Sequence, residues 1–371
     1  MKTDQIQKVH KDWYKLDLSA IVYPTLQRRD FSSVYRLSVL LKEDIDPEIL
    51  QRAVNLTMPR FPTYKAAIRK GVFWRYLEPN DRPGPFVQED VKNPCQPMHF
   101  KGNNRYLVRI YYYRNRIALE AHHSLGDGTG GMCVLQTLTA TYLRLKGHSE
   151  IENGGFVLDI LGIPDPGELE DAYMKYANAK VCPPRPGEKT YRVRGTKEPF
   201  YTLNIIDGIM SVSEVMRVAK SYNATITEYL NSVLLYALMR KQESEWHLKL
   251  RPVKIAMPVN LRRFFPSRTL RNFITMIYPG IDPRLGEYTF EEIVTQVHNY
   301  MRYYLNEKLL RGDITTNAET QRNPFIRIVP LFIKDLVVRQ FYTKIQDKNS
   351  SAGLTNMLSL IHISEPTRPL Y

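Results

Sequence analysis

The segment HHSLGDG, residues 122–128, joins a predicted strand to a predicted helix, and this junction constrains the fold more than any other feature. The stretch RYLVRIYYYRNRIALEAHH (105–123) is typical of a β-hairpin that turns at Arg114 and Asn115, so its second strand runs into the two histidines. After Gly128 apolar residues recur at helical spacing until Gly147. A loop held between a strand and a helix presents its side chains in a fixed place, and the alternation favours an α/β fold.

Strand and helix signals precede this junction as well. VYRLSVLLK (34–42) has the β-branched and aromatic content of a strand. Asp46 followed by Pro47 is typical of a helix start, and the helix must end near Pro59. AAIRKGVFWRYLE (66–78) predicts a second hairpin. The first half of the chain therefore predicts strands packed by helices.

The second half starts afresh after a segment rich in Pro, Gly and charge at 162–196. Its predicted elements are a helix opened by Ser211 and Glu214, a helix opened by Thr225 and Glu228, a strand over 254–260 and a helix over 291–310. A chain of 371 residues is long enough for two cores. We therefore predict an N-terminal unit at 1–165, a linker at 166–196 and a C-terminal unit at 197–357.

Composition is that of a globular chain, with 43% hydrophobic and 24% charged residues. No run approaches the roughly 20 apolar residues of a membrane span, and a polar start with only three cysteines favours the cytoplasm. The net charge of +14 is compatible with three kinds of binding partner, which are a nucleic acid, an acidic membrane surface and a polyanionic small molecule. It is equally compatible with charge that only serves solubility. Lys and Arg are spread along the chain without a nucleic-acid motif, so we expect no nucleic-acid partner.

The end of the chain needs a separate interpretation. Residues 358–368, LSLIHISEPTR, match the translation of a common sequencing adapter in one frame. We therefore exclude residues 358–371 from the fold. We expect the natural chain to continue past Met357, so that the C-terminal unit is truncated.

His123 is the candidate base of the motif. The unperturbed pKa of histidine lies near working pH, so the ring can accept a proton and return it. Asp127 is placed to orient a partner by an ionic or hydrogen bond, and glycines beside it permit a tight loop. Two other interpretations stay open at this level, a structural histidine and a metal site. No HExxH pattern and no further neighbouring His or carboxylate supports a metal ligand set.

HHSLGDG resembles the HHxxxDG motif of an acyltransferase superfamily that includes chloramphenicol acetyltransferase, peptide-synthetase condensation domains and alcohol acetyltransferases. WYKLDLSAIVYP (13–24) is similar to the N-terminal signature of the alcohol acetyltransferase branch, and MPVNLRRFF (257–265) to a second-domain segment. The resemblance covers most of residues 10–357. It implies two chloramphenicol-acetyltransferase-like subdomains with mixed sheets and an active-site tunnel between them.

The resemblance also implies residue roles. His123 corresponds to the general base of acyl transfer from acetyl-CoA or another acyl-CoA to an alcohol or amine, without a covalent acyl-enzyme. Asp127 corresponds to a structural aspartate paired with Arg262, and such a pair would join the two halves. His122 and Gly128 are assigned to loop geometry, with His122 expected to line the tunnel.

CoA binding is less sharply predicted. Arg263, Arg268 and Arg271 are candidates for the CoA phosphates, with solvated surface charge as the alternative for each. SAGLTNM (351–357) resembles a second-domain strand, which would place Asn356 near the tunnel. A late glycine- and aromatic-containing loop of the family has no counterpart before Met357, and no oxyanion stabiliser is identifiable. We expect no tightly bound cofactor and no metal.

Two rival functions stay open. The first is a condensation-type transferase whose acyl donor sits on a carrier protein supplied in trans, since the chain shows no carrier domain. The second is a non-catalytic binding or scaffold member of the same fold. Dependence of turnover on free acyl-CoA and on His123 separates the three possibilities.

Overall fold

The computed structural model describes residues 13–28, 31–91, 93–179, 188–196, 198–199, 202–245, 249–344 and 349–357. The adapter-like segment 358–371 lies outside the described residues, and so does 180–187 of the predicted linker.

The described strands form three sheets. They are β1 (Tyr14–Lys15), β2 (Val34–Leu40), β3 (Ala66–Lys70), β4 (Arg75–Pro79), β5 (Val87–Glu89), β6 (Val108–Tyr113), β7 (Arg116–His122), β8 (Val253–Asn260), β9 (Ile274–Ile277), β10 (Gly280–Ile281) and β11 (Ala352–Gly353). Two sheets belong to the first half, in the orders β1-β4-β3 and β2-β7-β6-β5, and the third has the order β10-β8-β11 with β9 also paired to β8. Parallel pairing of β5 with β6 and of β11 with β8 makes two of the sheets mixed.

The described α-helices cover these sheets. They are α1 (Tyr23–Leu26), α2 (Pro47–Thr57), α3 (Gly128–Leu145), α4 (Ala172–Tyr176), α5 (Val212–Ser221), α6 (Ile226–Ser244), α7 (Phe290–Tyr304), α8 (Glu307–Arg322), α9 (Pro324–Ile328) and α10 (Leu331–Lys344). Among the described helices, none is long and apolar enough to cross a membrane.

Local sequence signals account for the elements around the motif. The Asp46 side chain accepts hydrogen bonds from the backbone N–H groups of Glu48 and Ile49 and starts α2, as predicted. The predicted hairpin turn at Arg114 is present, with a left-handed φ of 49° at that residue. β7 lies inside its sheet and is almost entirely buried, so the strand that ends at His122 is fixed on both sides.

One prediction in the second half is wrong. The helix predicted over 291–310 ends at Tyr304, and a separate helix, α8, begins at Glu307. The side chain of Asn306 accepts a hydrogen bond from the backbone N–H of Leu309 at 3.0 Å and caps the new helix. An internal cap therefore divides one apolar pattern into two helices.

Three apolar clusters form the interior. The first is built from residues between Tyr14 and Phe156, yet it also contains Leu270 from the second half. The second surrounds β8, and the third packs α4 against residues 261–273 and α8. Residues 166–179 of the predicted linker thus include α4, whose Ala172 and Tyr173 are buried. Leu270 shows that the 269–273 segment is inserted into the N-terminal half.

Candidate active site

The Asp127 carboxylate holds together the loop that follows β7. Oδ1 accepts hydrogen bonds from the backbone N–H groups of Thr129 (3.0 Å) and Gly130 (3.3 Å), so Asp127 is the N-cap of α3. Oδ2 accepts from the backbone N–H of Phe273 in the other half at 2.9 Å. The residue is only 2% exposed. One buried carboxylate therefore fixes the helix start and the opposite chain segment.

Arg262 pairs with this carboxylate in a bidentate arrangement. Nη1 lies 2.8 Å from Oδ2 and Nη2 lies 3.3 Å from Oδ1 of Asp127. The guanidinium also donates to the carbonyl oxygens of Thr269 and Arg271. Because the remaining donors are satisfied, the guanidinium is held in place, as a buried ion pair requires. The structure thus brings together the two residues that the resemblance places in one pair.

Glycines of the motif region allow the 269–273 segment to approach. A Cβ placed on Gly130 would lie 2.0 Å from the carbonyl oxygen of Leu270, and one on Gly126 would lie 2.5 Å from the same atom. A Cβ on Gly128 would meet Met357 at 3.2 Å. The glycines at 126 and 130 are therefore needed for close packing of one chain segment on another.

His123 follows β7 and lies between two tyrosine rings. Its ring is stacked on Tyr23 at a centroid distance of 4.8 Å and lies 4.6 Å from the tilted ring of Tyr35. The backbone is fixed on both sides, because its N–H donates to the Ser33 carbonyl at 2.9 Å and its carbonyl accepts from Asn272 Nδ2 at 2.8 Å. Position and orientation of the imidazole are thus set by both halves.

Burial determines the charge of His123. Burial lowers its pKa from the ordinary value of 6.5, and the nearby Asp127 carboxylate opposes this effect. Its Nδ1 is enclosed without a hydrogen-bond partner among the described residues. The imidazole is therefore neutral at neutral pH. His123 lines the cleft, and because Nδ1 is enclosed, Nε2 is the candidate nitrogen for contact with a substrate.

His122 is placed differently from our expectation. It is fully buried, its Nδ1 accepts from the backbone N–H of Ser124 at 3.2 Å, and its ring meets the edge of Phe100. Burial lowers its pKa to about 3. The prediction that His122 lines the tunnel is corrected, because the ring points into the core, where it supports the loop.

A cleft of about 2930 Å³ opens over His123. Asp127, Gly128 and Thr129 also line it, and both halves supply lining residues. Tyr35 and Trp74 come from the first half, and Met257, Phe264 and Met276 are among those from the second. Among the described residues no group of three His, Cys, Asp or Glu side chains is arranged to hold a metal ion.

Of the four predicted CoA-binding residues, two line the cleft. Arg263 is exposed there, and Asn356 lines the same space while donating to Thr227 Oγ1 at 2.6 Å. Arg268 is exposed elsewhere, 3.5 Å from Asp165. Arg271 is only 4% exposed.

Arg271 therefore has a structural environment rather than that of a phosphate ligand. Its guanidinium donates to the carbonyl of Lys15 at 2.5 Å and to that of Leu169, and lies 3.6 Å from the buried Asp17 carboxylate. Burial raises the pKa of Asp17, and the Arg271 charge opposes that rise. The burial of Arg271 contradicts its assignment to a CoA phosphate, whereas the assignment of the exposed Arg268 stays a prediction.

Sequence reasoning assigned no role to several residues around His123. Asn272 Nδ2 binds the His123 carbonyl and also lies 3.2 Å from Asp17 Oδ2. Tyr23 and Asp17 both fall within the N-terminal signature 13–24, which was the available signal, although no spacing rule links them to His123.

Comparison with known proteins identifies the fold. No known family profile matches the sequence. No curated protein matches it either. Several solved structures match, and polyketide synthase associated protein 5 from Mycobacterium tuberculosis does so with a TM-score of 0.51, 14% identity and coverage of 81% of this chain and 75% of that one.

Two further neighbours extend the likeness. F. sporotrichioides TRI101, complexed with coenzyme A and T-2, matches with a TM-score of 0.51 and 12% identity. The match covers 92% of this chain and 81% of that one. The first condensation domain of the calcium-dependent antibiotic synthetase, in complex with a substrate analogue, matches with a TM-score of 0.52 and 17% identity. The match covers 82% of this chain and 76% of that one. At these identities the likeness shows the fold. The predicted mixed α/β fold of two halves is confirmed.

We predict that Gly130→Ala destabilises the protein by about 3 kcal/mol, because the new Cβ forces α3 and the Leu270 backbone apart. Gly208→Ala is the control, since nothing lies within 4 Å of its Cβ position. That variant should leave stability unchanged or raise it by up to about 1 kcal/mol. Urea denaturation measures both, and equal effects of the two variants would contradict the close approach.

Proposed function

We propose that this chain transfers an acyl group from an acyl-CoA thioester to an alcohol, with His123 as general base. The observation that carries the proposal is a neutral histidine that lines a cleft between residues of both halves, on a loop fixed by Asp127 and Arg262. Such a base needs a fixed position and a free ring nitrogen that faces its substrate.

The proposed reaction transfers one acyl group and one proton and returns His123 to its starting state. The acceptor hydroxyl gives its proton to His123 Nε2 while its oxygen attacks the thioester carbonyl carbon, and a tetrahedral intermediate forms. The C–S bond then breaks, and the departing thiolate takes the proton from the imidazolium. The products are an ester and a free thiol. His123 ends the cycle neutral, so no side-chain nucleophile is required.

Asp127 and Arg262 support this reaction by holding the loop that carries His123. The two side chains form an ion pair with each other, and each also forms hydrogen bonds with backbone groups. Neither is therefore available to the substrate. Their role in the proposal is to keep His123 and the two halves in register, and breaking such a buried pair costs about 3–5 kcal/mol.

Cationic residues on the cleft walls suit a phosphate-bearing donor. Arg263 lies at the cleft with Lys254 and Arg302, and all three come from the second half. The CoA found with TRI101 is consistent with such a donor. Acetyl-CoA is the proposed donor, and these three residues are the proposed contacts for its phosphates.

The second candidate is a condensation-type reaction in which the thioester is carried by a separate protein. The fold shared with the condensation domain favours it. Turnover with free acyl-CoA would argue against this reaction. A requirement for an acylated carrier protein would instead show that the carrier protein, and not CoA, supplies the acyl group.

We predict that His123→Ala lowers thiol release from acetyl-CoA, in the presence of an accepting alcohol, by about 10²- to 10⁴-fold, the usual contribution of a general base. The melting temperature should change little. His148→Ala is the matched control, since His148 is exposed and pairs with Glu150 away from the cleft. A folded His123→Ala variant that retains turnover would show that the base assignment is wrong. Binding of both substrates without turnover by the unmodified chain would favour the non-catalytic member.

The pH dependence follows from the direction of the His123 pKa. Burial lowers that pKa below 6.5, and only the neutral ring accepts a proton. We predict that kcat/KM falls on the acid side with a slope of one proton and that this acid limb is centred below pH 6.5. Initial rates of thiol release across the pH range measure this. An acid limb centred above 6.5 would contradict the buried, neutral base.

A further inference from the structure

Two exposed apolar segments meet at the mouth of the cleft. One is the turn between β3 and β4, where Val72 is 71% and Trp74 50% exposed. The other is α9 with α10, where Phe325 is 77% and Phe332 73% exposed. Direct hydrogen bonds join them. The backbone N–H of Leu331 donates to the Val72 carbonyl at 2.8 Å, and Lys334 Nζ donates to the Phe73 carbonyl at 2.9 Å.

Together they form a surface that we name the mouth patch. Its members are Val72, Phe73, Trp74, Phe325, Ile328, Phe332, Ile333, Leu336 and Val337, all exposed side chains. On α10 the pairs 332/336 and 333/337 recur at four-residue spacing, so they form one side of that helix. Exposed apolar residues clustered in this way mark an interaction surface.

The opposite side of α10 is anchored to the first half. Asp335 pairs with Arg75, whose Nη1 and Nη2 lie 2.7 and 2.5 Å from the carboxylate, and accepts from Thr25 Oγ1 at 2.8 Å. The apolar side of α10 is therefore directed outward by a fixed contact.

The charge around the mouth patch is strongly positive. Residues 70–75 and 323–341 contain five cations (Lys70, Arg75, Arg327, Lys334 and Arg339) and one carboxylate, Asp335, which already pairs with Arg75. Lys334 Nζ lies 3.1 Å from the Arg327 carbonyl. Burial, and then the Arg327 charge, lower the pKa of Lys334.

We propose that the mouth patch docks on an anionic lipid surface. Aromatic and aliphatic side chains enter the interfacial region of a bilayer, while the surrounding Lys and Arg contact anionic headgroups. A second copy of the chain is a poorer occupant, because two such patches would bring like charges together in a protein with a net charge of +14.

Docking in this orientation has a consequence for substrate entry. Phe73, Trp74 and Val337 belong to the mouth patch and also line the cleft that leads to His123. An apolar acceptor or acyl chain dissolved in the bilayer would therefore enter the cleft directly. This step, unlike the docking itself, rests on the proposed function.

Vesicle flotation tests the docking without any measurement of acyl transfer. The chain is mixed with vesicles of phosphatidylcholine alone, or of phosphatidylcholine and phosphatidylglycerol in equal amounts. We expect binding to the anionic vesicles that weakens with added salt, and at least about tenfold weaker binding to the neutral ones. Failure of acyl transfer would leave this result unchanged, so the two proposals fail separately.

The double variant Trp74→Glu/Phe332→Glu should bind anionic vesicles at least about tenfold more weakly. Leu161→Glu/Ile209→Glu is the control, since it adds the same charge at two exposed apolar positions outside the mouth patch (88% and 100% exposed) and should bind like the unmodified chain. Melting temperatures confirm folding. No binding to anionic vesicles, or equal loss in both double variants, overturns the proposal. The proposal is also overturned if the unmodified chain forms a dimer and does not bind vesicles, and if only the Trp74→Glu/Phe332→Glu variant is monomeric. That result would assign the mouth patch to self-association.

Discussion

The buried carboxylate of Asp127 is the interaction on which the rest of the site depends. It caps α3, forms a bidentate pair with Arg262 and accepts the backbone N–H of Phe273, so it joins a helix start, a guanidinium and a chain segment of the other half. A charge withdrawn from water in this way is tolerated because every partner is a hydrogen-bond donor. His123, four residues earlier on the same loop, takes its place at the cleft from this arrangement. The proposed chemistry needs that fixed position.

Much of the fold was predictable because local rules decided it. Asp46 before Pro47, the Arg114–Asn115 turn and the capping box of Thr225 with Glu228 each act within a few residues of chain, and all are present. The prediction over 291–310 failed because apolar spacing continues through the break, and only the cap at Asn306 divides it. Long-range pairing, such as β11 parallel to β8, has no local signal.

The candidate site was predictable as a motif but not as an environment. The sequence placed Asp127 with Arg262 through a resemblance, and the structure shows the two side chains in contact. Local patterns do not distinguish Arg263, which lines the cleft, from Arg271, which is buried beside Asp17. Burial of a charged side chain depends on which distant segment packs on it, so composition around an arginine does not reveal its role.

A double-mutant cycle on Asp127 and Arg262 tests the central claim most directly. Free energies of unfolding from urea denaturation are compared for Asp127→Ala, Arg262→Ala and the double variant. Because each single variant leaves one charge buried without its partner, we expect strong non-additivity, with a coupling of about 2 kcal/mol or more and a double variant no less stable than the worse single one. Additive losses, with coupling below about 0.5 kcal/mol, would contradict the account, since the loop would then not depend on this pair.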